Sequence, residues 1–172
     1  MHPVGKEFFL RDVLEVAPAL IGSYLVRQWN DGSCERFRIT ETEAYRGEED
    51  LACHASHGRT KRTEVLYWEG GVFYVYLIYG MYWMLNCVTG RDGHPQAALI
   101  RGLDRVYGPG RLTKQLQIDR SLHGKEISFG SGLWIERDNQ PYAYAESPRI
   151  GINYAGEWTK VPWRYTLLER LH

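Results

Sequence analysis

Glu43 is the residue of this sequence best placed for acid–base chemistry. From Phe37 to Tyr45 the pattern has period two, which puts Phe37, Ile39, Glu41, Glu43 and Tyr45 on one face of a strand and Arg36, Arg38, Thr40 and Thr42 on the other. An apolar face that ends in carboxylates sets ionisable oxygens at a core edge, where such groups are paired or functional. The bland alternative is a sheet-edge Glu tied to an arginine. Cys53, His54 and His57 follow in a loop. Thiolate and imidazole are zinc ligands, but no second cluster stands at the usual spacing, so a metal-dependent hydrolase built on Glu43, His54 and His57 stays an alternative. Tyr79 offers a different chemistry. A large ring beside Gly80 at a tight turn is an apolar group on a rigid rod, able either to wedge between stacked bases or to fold back on its own sheet. Finally, Gly108-Pro109-Gly110 ahead of Arg111, Thr113 and Lys114 offers backbone N–H groups and cations to a phosphate, without the Gly-Lys-Ser/Thr ending of a P-loop.

These groups need elements to hold them. Asp12 can cap a helix through Val13, Leu14, Val16, Ala17, Leu20 and Ile21, which Pro18 must kink or restart. The run Val72 to Val88, rich in aromatic and β-branched residues, predicts a hairpin with Tyr79 near its tip; Tyr74 and Tyr82 are expected to serve the core. Further strands are predicted at Ala97 to Ile100, delivering Arg101 to the strand end, and at Leu133 to Glu136. A short helix is predicted from Arg111 to Gln117. With no internal repeat or linker, one sheet with helices against it follows.

Composition bounds the partners. At 172 residues the chain is expected to form one domain over 1–172 with a core that needs no staples. Lys+Arg and Asp+Glu are 21 each, so no global field draws the protein to nucleic acid or membrane, and any polyanion must be held by local cations. The three cysteines, Cys34, Cys53 and Cys87, are odd in number and form no close pair, which suits a reducing compartment. Neither an apolar run of membrane-spanning length nor a signal pattern ahead of Phe8 is present, so a soluble, cytoplasmic protein is expected.

Several motifs then become recognisable together. Glu41-Thr42-Glu43-Ala44-Tyr45, Gly47 through His54, Tyr74 through Tyr82 with Asn86, Leu99-Ile100-Arg101, Gly108-Pro109-Gly110 with Lys114, and Arg149-Ile150-Gly151-Ile152 with Tyr154 through Trp158 follow in an order that resembles the alkyladenine DNA glycosylases, the 3-methyladenine DNA glycosylases of the mammalian type, in a compact bacterial form. The resemblance spans nearly the whole chain. It implies a mixed α/β fold: a single domain with a curved, largely antiparallel sheet, flanking helices and a protruding hairpin. It also implies a monofunctional, cofactor-free enzyme, expected to be monomeric, that flips alkylated or deaminated purines from duplex DNA and hydrolyses the N-glycosidic bond. By position, Glu43 is implied as the general base that activates water. Tyr79, with Met81 beside it, is implied as the intercalating wedge. Tyr45, His54 and Tyr76 correspond to walls of the base pocket, Asn86 to the group that crowds a guanine 2-amino, Arg101 to a pocket contact, and Ile150 to the floor near the water. Arg59, Arg62, Arg111 and Lys114 are the expected backbone cations. Two departures stand out: the Arg101–Gly108 segment is shorter than in many members, and Thr63 replaces an Asn often found there. The alternative from another class is a damaged-DNA-binding module that uses the aromatic hairpin only to stack.

Overall fold

The computed structural model describes residues 1–170. In chain order it contains β1 (His2–Pro3), α1 (Lys6–Phe9), α2 (Val13–Ala19), β2 (Tyr24–Gln28), β3 (Cys34–Arg46), β4 (Phe73–Ile78), β5 (Tyr82–Val88), β6 (Gln96–Leu103), β7 (Val106–Tyr107), α3 (Pro109–Gln115), β8 (Leu133–Arg137), β9 (Tyr142–Ser147) and β10 (Arg164–Arg170), joined by short 3-10 turns such as His54–His57. The strands pair antiparallel in one open ten-stranded sheet along β1-β8-β2-β3-β6-β5-β4. β7 adds to β6, and the β9–β10 pair adds to β3. This is the mixed α/β architecture expected. No helix among the described residues is long and apolar enough to cross a membrane.

The helix predicted behind Asp12 is α2. The Asp12 carboxylate accepts from the Leu14 N–H at 2.9 Å, satisfying one of the free donors of the first turn. Pro18 does not restart it; it stands in the last turn, and the helix ends at Ala19. Val13, Val16 and Ala17 bury against Phe37, Ile39, Phe73, Leu85, Ile100 and Leu103 in the main core.

β3 departs from the simple alternation in a way that decides the site. Phe37 and Ile39 face the core, but the ladder to β6 is irregular between Ile39 and Thr42. Beyond that point Thr42 and Ala44 take the core side, Thr42 donating to the Ala17 carbonyl at 2.8 Å, while Glu43 and Tyr45 turn away from it. The two ends of the predicted face therefore look to opposite sides of the sheet. Gly102 stands at the irregularity; a Cβ there would come within 3.1 Å of Thr40 Oγ1 and of the Glu41 Cβ. Opposite β3, the residues of β6 alternate in the same way, Ala98 and Ile100 inward and Ala97, Leu99 and Arg101 toward the other side.

The hairpin forms as expected from β4 and β5, with Ile78 opposite Tyr82. Tyr79 and Gly80 both have positive φ, 53° and 65°, and the Met81 N–H donates to the Ile78 carbonyl at 3.1 Å, which closes a tight three-residue loop between the strands. Tyr82, expected in the core, is exposed instead, because it opens β5 beside the turn and burial along that strand begins only at Leu85; the covered side of its ring lies on α3, where a Cβ at Gly110 would fall 2.8 Å from it. Thr113 of the same helix donates to the Trp83 carbonyl at 2.8 Å. α3 thus braces the hairpin from outside the sheet.

Candidate active site

On the side of β3 and β6 away from the main core lies a cavity of about 300 Å³. Of the residues predicted from sequence, Tyr45, His54, Tyr76, Asn86, Arg101 and Ile150 all line it, and Tyr79 stands at its rim. Glu43 is directly behind the wall rather than in it. Its side chain is fully buried, with Oε2 accepting from the Tyr45 hydroxyl at 2.7 Å and Oε1 from the Ile150 N–H at 2.8 Å. The Arg101 guanidinium stands between two carboxylates, 3.6 Å from Glu43 Oε1 and 3.4 Å from Glu41 Oε1. Glu41 is in turn bonded by Arg164. The three groups that touch Glu43, the Tyr45 hydroxyl, the Ile150 N–H and the Arg101 guanidinium, all belong to cavity residues.

The donors to Glu43 are held in their donating state. Burial first, then the Glu43 charge, push the Tyr45 hydroxyl well above its ordinary range, so it remains a proton donor. The aromatic wall is equally fixed. His54 Nδ1 lies 3.0 Å from the Tyr74 hydroxyl, and its ring meets that of Tyr76 edge-on at 4.4 Å. Burial, with the charges of Arg62 and His57, lowers His54 to about 4, so at neutral pH it offers a hydrogen bond rather than a proton. Tyr74, expected to be a core residue, is buried but serves the wall as well. Asn86 donates from Nδ2 to the Tyr74 carbonyl at 3.2 Å, which fixes its amide against the cavity.

Other predicted residues lie outside the cavity. Met81 follows Tyr79 on the turn, and both are exposed, Tyr79 at 84%. Arg111 and Lys114 are exposed on α3, beside the hairpin. Arg62 is exposed near the Tyr74 hydroxyl, which burial raises to about 12 against the opposing charge of Arg62. Arg59 is already engaged, paired in bidentate fashion with Glu64 at 2.7 and 2.9 Å. Thr63 closes the loop after His54 by accepting from the Thr60 N–H and donating to the Gly58 carbonyl. The metal alternative, built on Glu43, His54 and His57, finds no geometry to support it: among the described residues no group of three or more His, Cys, Asp or Glu stands close enough to hold a metal ion.

Sequence reasoning gave no role to Tyr154, which lines the cavity and reaches toward the Ala52 carbonyl at 3.4 Å, or to Asp50 and Arg149. These last two form a fully buried ion pair at 2.7 and 2.9 Å behind the site. Both lie inside motifs that carry the resemblance, the only signal the sequence held for them.

The arrangement can therefore hold a flat aromatic ligand between Tyr and His rings, with a carboxylate behind one wall and a protruding aromatic at the rim. Known proteins are similar in sequence to this chain along nearly all of its length. The sequence profile of the methylpurine-DNA glycosylases matches residues 7–107 and 104–170, its two stretches meeting in the short segment before Gly108. A Legionella pneumophila (strain Corby) protein named "Putative 3-methyladenine DNA glycosylase" is 43% identical over 96% of this chain and 94% of its own. A Psychrobacter cryohalolentis protein of the same name is 43% identical over 94% of this chain and 90% of its own. For one from Methanocella arvoryzae the identity is 41%, over 96% and 92%. With that match running through every segment that builds the cavity, the chain belongs to the methylpurine-DNA glycosylase family.

Proposed function

We propose that this protein is a monofunctional DNA glycosylase that takes alkylated or deaminated purines, of the 3-methyladenine, 7-methylguanine, hypoxanthine and ethenoadenine class, out of duplex DNA and hydrolyses their N-glycosidic bond. The observation that carries the reading is the fully buried carboxylate of Glu43 set behind an aromatic cavity, beside a rigid hairpin whose tip exposes Tyr79. Stacking alone needs no such carboxylate, which favours catalysis over a module that only binds damaged DNA.

In this mechanism Tyr79, backed by Met81, enters the stack through the minor groove and occupies the space of the extruded nucleotide. Tyr45, His54 and Tyr76 receive the base, and their electron-rich rings favour a cationic lesion. Asn86 crowds a 2-amino group, which selects against guanine. Glu43 accepts the proton of water as its oxygen attacks the sugar C1′, with Arg101 and the Ile150 segment beside it. The base leaves with the bonding electron pair. No lysine lines the cavity, so a Schiff base is not available and the product is an abasic site with an unbroken strand. Arg59, Arg62, Arg111 and Lys114 contact phosphates. The protein acts as a monomer of one domain over 1–172, in the cytoplasm, associated with the nucleoid if its source is bacterial.

The test is base release from end-labelled duplexes bearing one hypoxanthine or one ethenoadenine, read by alkaline cleavage of the abasic site. Cleavage that depends on the lesion and disappears in Glu43→Gln, while lesion binding persists, is expected. Retained binding without cleavage on these lesions or on methylated DNA would overturn the enzyme reading and leave the binding module.

A further inference from the structure

Neither Asp50 nor Arg149 lines the cavity, yet their pair joins the segments that hold Glu43. The Asp50 carboxylate accepts four hydrogen bonds: from the two terminal nitrogens of Arg149, from the Arg46 N–H at 3.0 Å and from the Ala52 N–H at 3.0 Å. Arg149 also donates to the Ala44 carbonyl at 2.9 Å, and its guanidinium lies against the rings of Tyr45 at 4.8 Å and Trp163 at 5.1 Å. Its Nε is buried without a partner. The backbone groups held are those on either side of Tyr45, the start of the segment leading to His54, and, by covalent continuity, Ile150. Tyr45 and Ile150 supply the two hydrogen bonds on Glu43.

A pair with neither side chain exposed gains little stability, because desolvating two charges offsets most of their attraction, and well-packed apolar residues commonly replace such pairs at no loss. Rigid geometry is what it does supply. We propose that Asp50 and Arg149 are positioning residues: their ion pair fixes the Tyr45 hydroxyl and the Ile150 N–H on the two oxygens of Glu43, and so sets the direction in which that carboxylate meets water. This rests on the reading of Glu43 as the base.

The test separates rate from affinity. Single-turnover base release and lesion-duplex binding are measured for Arg149→Lys, Asp50→Asn and the double variant Asp50→Leu/Arg149→Met, with thermal midpoints and Glu43→Gln in parallel. Release by the single variants is expected to fall about tenfold to a hundredfold, the range reached by small misplacements of a reacting group, with affinity within about threefold of wild type. The double variant, which leaves no unpaired charge, is expected to regain the thermal midpoint but not the rate. A double variant that regains both overturns the proposal, since the pair would then serve stability alone; it also decides the matter if the single variants do not fold. If Glu43→Gln itself releases base normally, the base reading has failed; if Glu43→Gln is inactive and the pair variants are fast, only this inference has failed.

Discussion

At the scale of single residues, the site depends on how two oxygens of one carboxylate are occupied. Tyr45 supplies a hydroxyl to Glu43 Oε2 and a ring to the cavity, and the two roles can be separated. Tyr45→Phe keeps the ring and removes a hydrogen bond to a charged group, worth roughly 1.5–3 kcal/mol. Base release under single-turnover conditions is expected to slow by about tenfold or more while lesion affinity changes little; an unchanged rate would mean that the hydroxyl does not orient Glu43. The sequence made Glu43, Tyr45, His54, Tyr76 and Asn86 legible because each is a chemically distinctive type inside a motif. Asp50 and Arg149 were not legible as a pair: they are separated by 99 positions, and neither spacing nor periodicity connects residues so far apart.

At the scale of elements, the hairpin carries the proposed wedge, and α3 fixes where the wedge points. Tyr79→Ala removes the ring at the rim and none of the groups that touch Glu43, so it is expected to weaken binding and extrusion more than the chemical step. The measure is lesion-duplex affinity against the single-turnover rate at saturating enzyme. Gly110→Ala probes the brace instead. The added methyl must displace the Tyr82 ring, and overpacking of this kind costs typically about 1–3 kcal/mol. A lowered thermal midpoint is expected, together with part of the Tyr79→Ala binding defect; a midpoint at the wild-type value would show that the hairpin tolerates a shift away from α3. The hairpin was readable because aromatic and β-branched residues flank a Tyr-Gly turn. The change of side along β3 was not, since it occurs at an irregularity in the pairing with β6, opposite Gly102, and local alternation carries no knowledge of a partner strand. β9 escaped for another reason: Tyr142-Ala143-Tyr144-Ala145 lies partly exposed on both faces, so burial writes no polar–apolar contrast into it.

At the scale of the whole molecule, protons and salt report on the fold and on the DNA face separately. His54 and His123 are both held below their ordinary range, His54 at about 4, each chiefly by burial. His123 Nδ1 also accepts from the Val75 N–H of β4, which requires the unprotonated nitrogen. The unfolded chain binds these protons more readily than the native one, so their contribution to stability is complete above about pH 6.5 and declines as pH falls toward about 4. Thermal midpoints should drop over that interval, and His123→Gln should flatten part of the decline. Salt addresses the partner. With no net charge to contribute, affinity for duplex DNA must come from a few local cations, and each phosphate neutralised steepens the dependence of log K on log salt by about 0.9. Arg111 and Lys114 stand on α3, the helix that braces the hairpin, whereas Arg59 is already paired with Glu64. The double variant Arg111→Ala/Lys114→Ala is therefore expected to make the slope shallower by about 2, and Arg59→Ala by clearly less than 1, because part of its charge is compensated before DNA arrives. Fluorescence anisotropy of a labelled duplex between about 50 and 200 mM salt measures both. An unchanged slope in the α3 double variant would remove α3 from the phosphate contacts, and a full unit lost in Arg59→Ala would mean that Glu64 releases its arginine to the DNA.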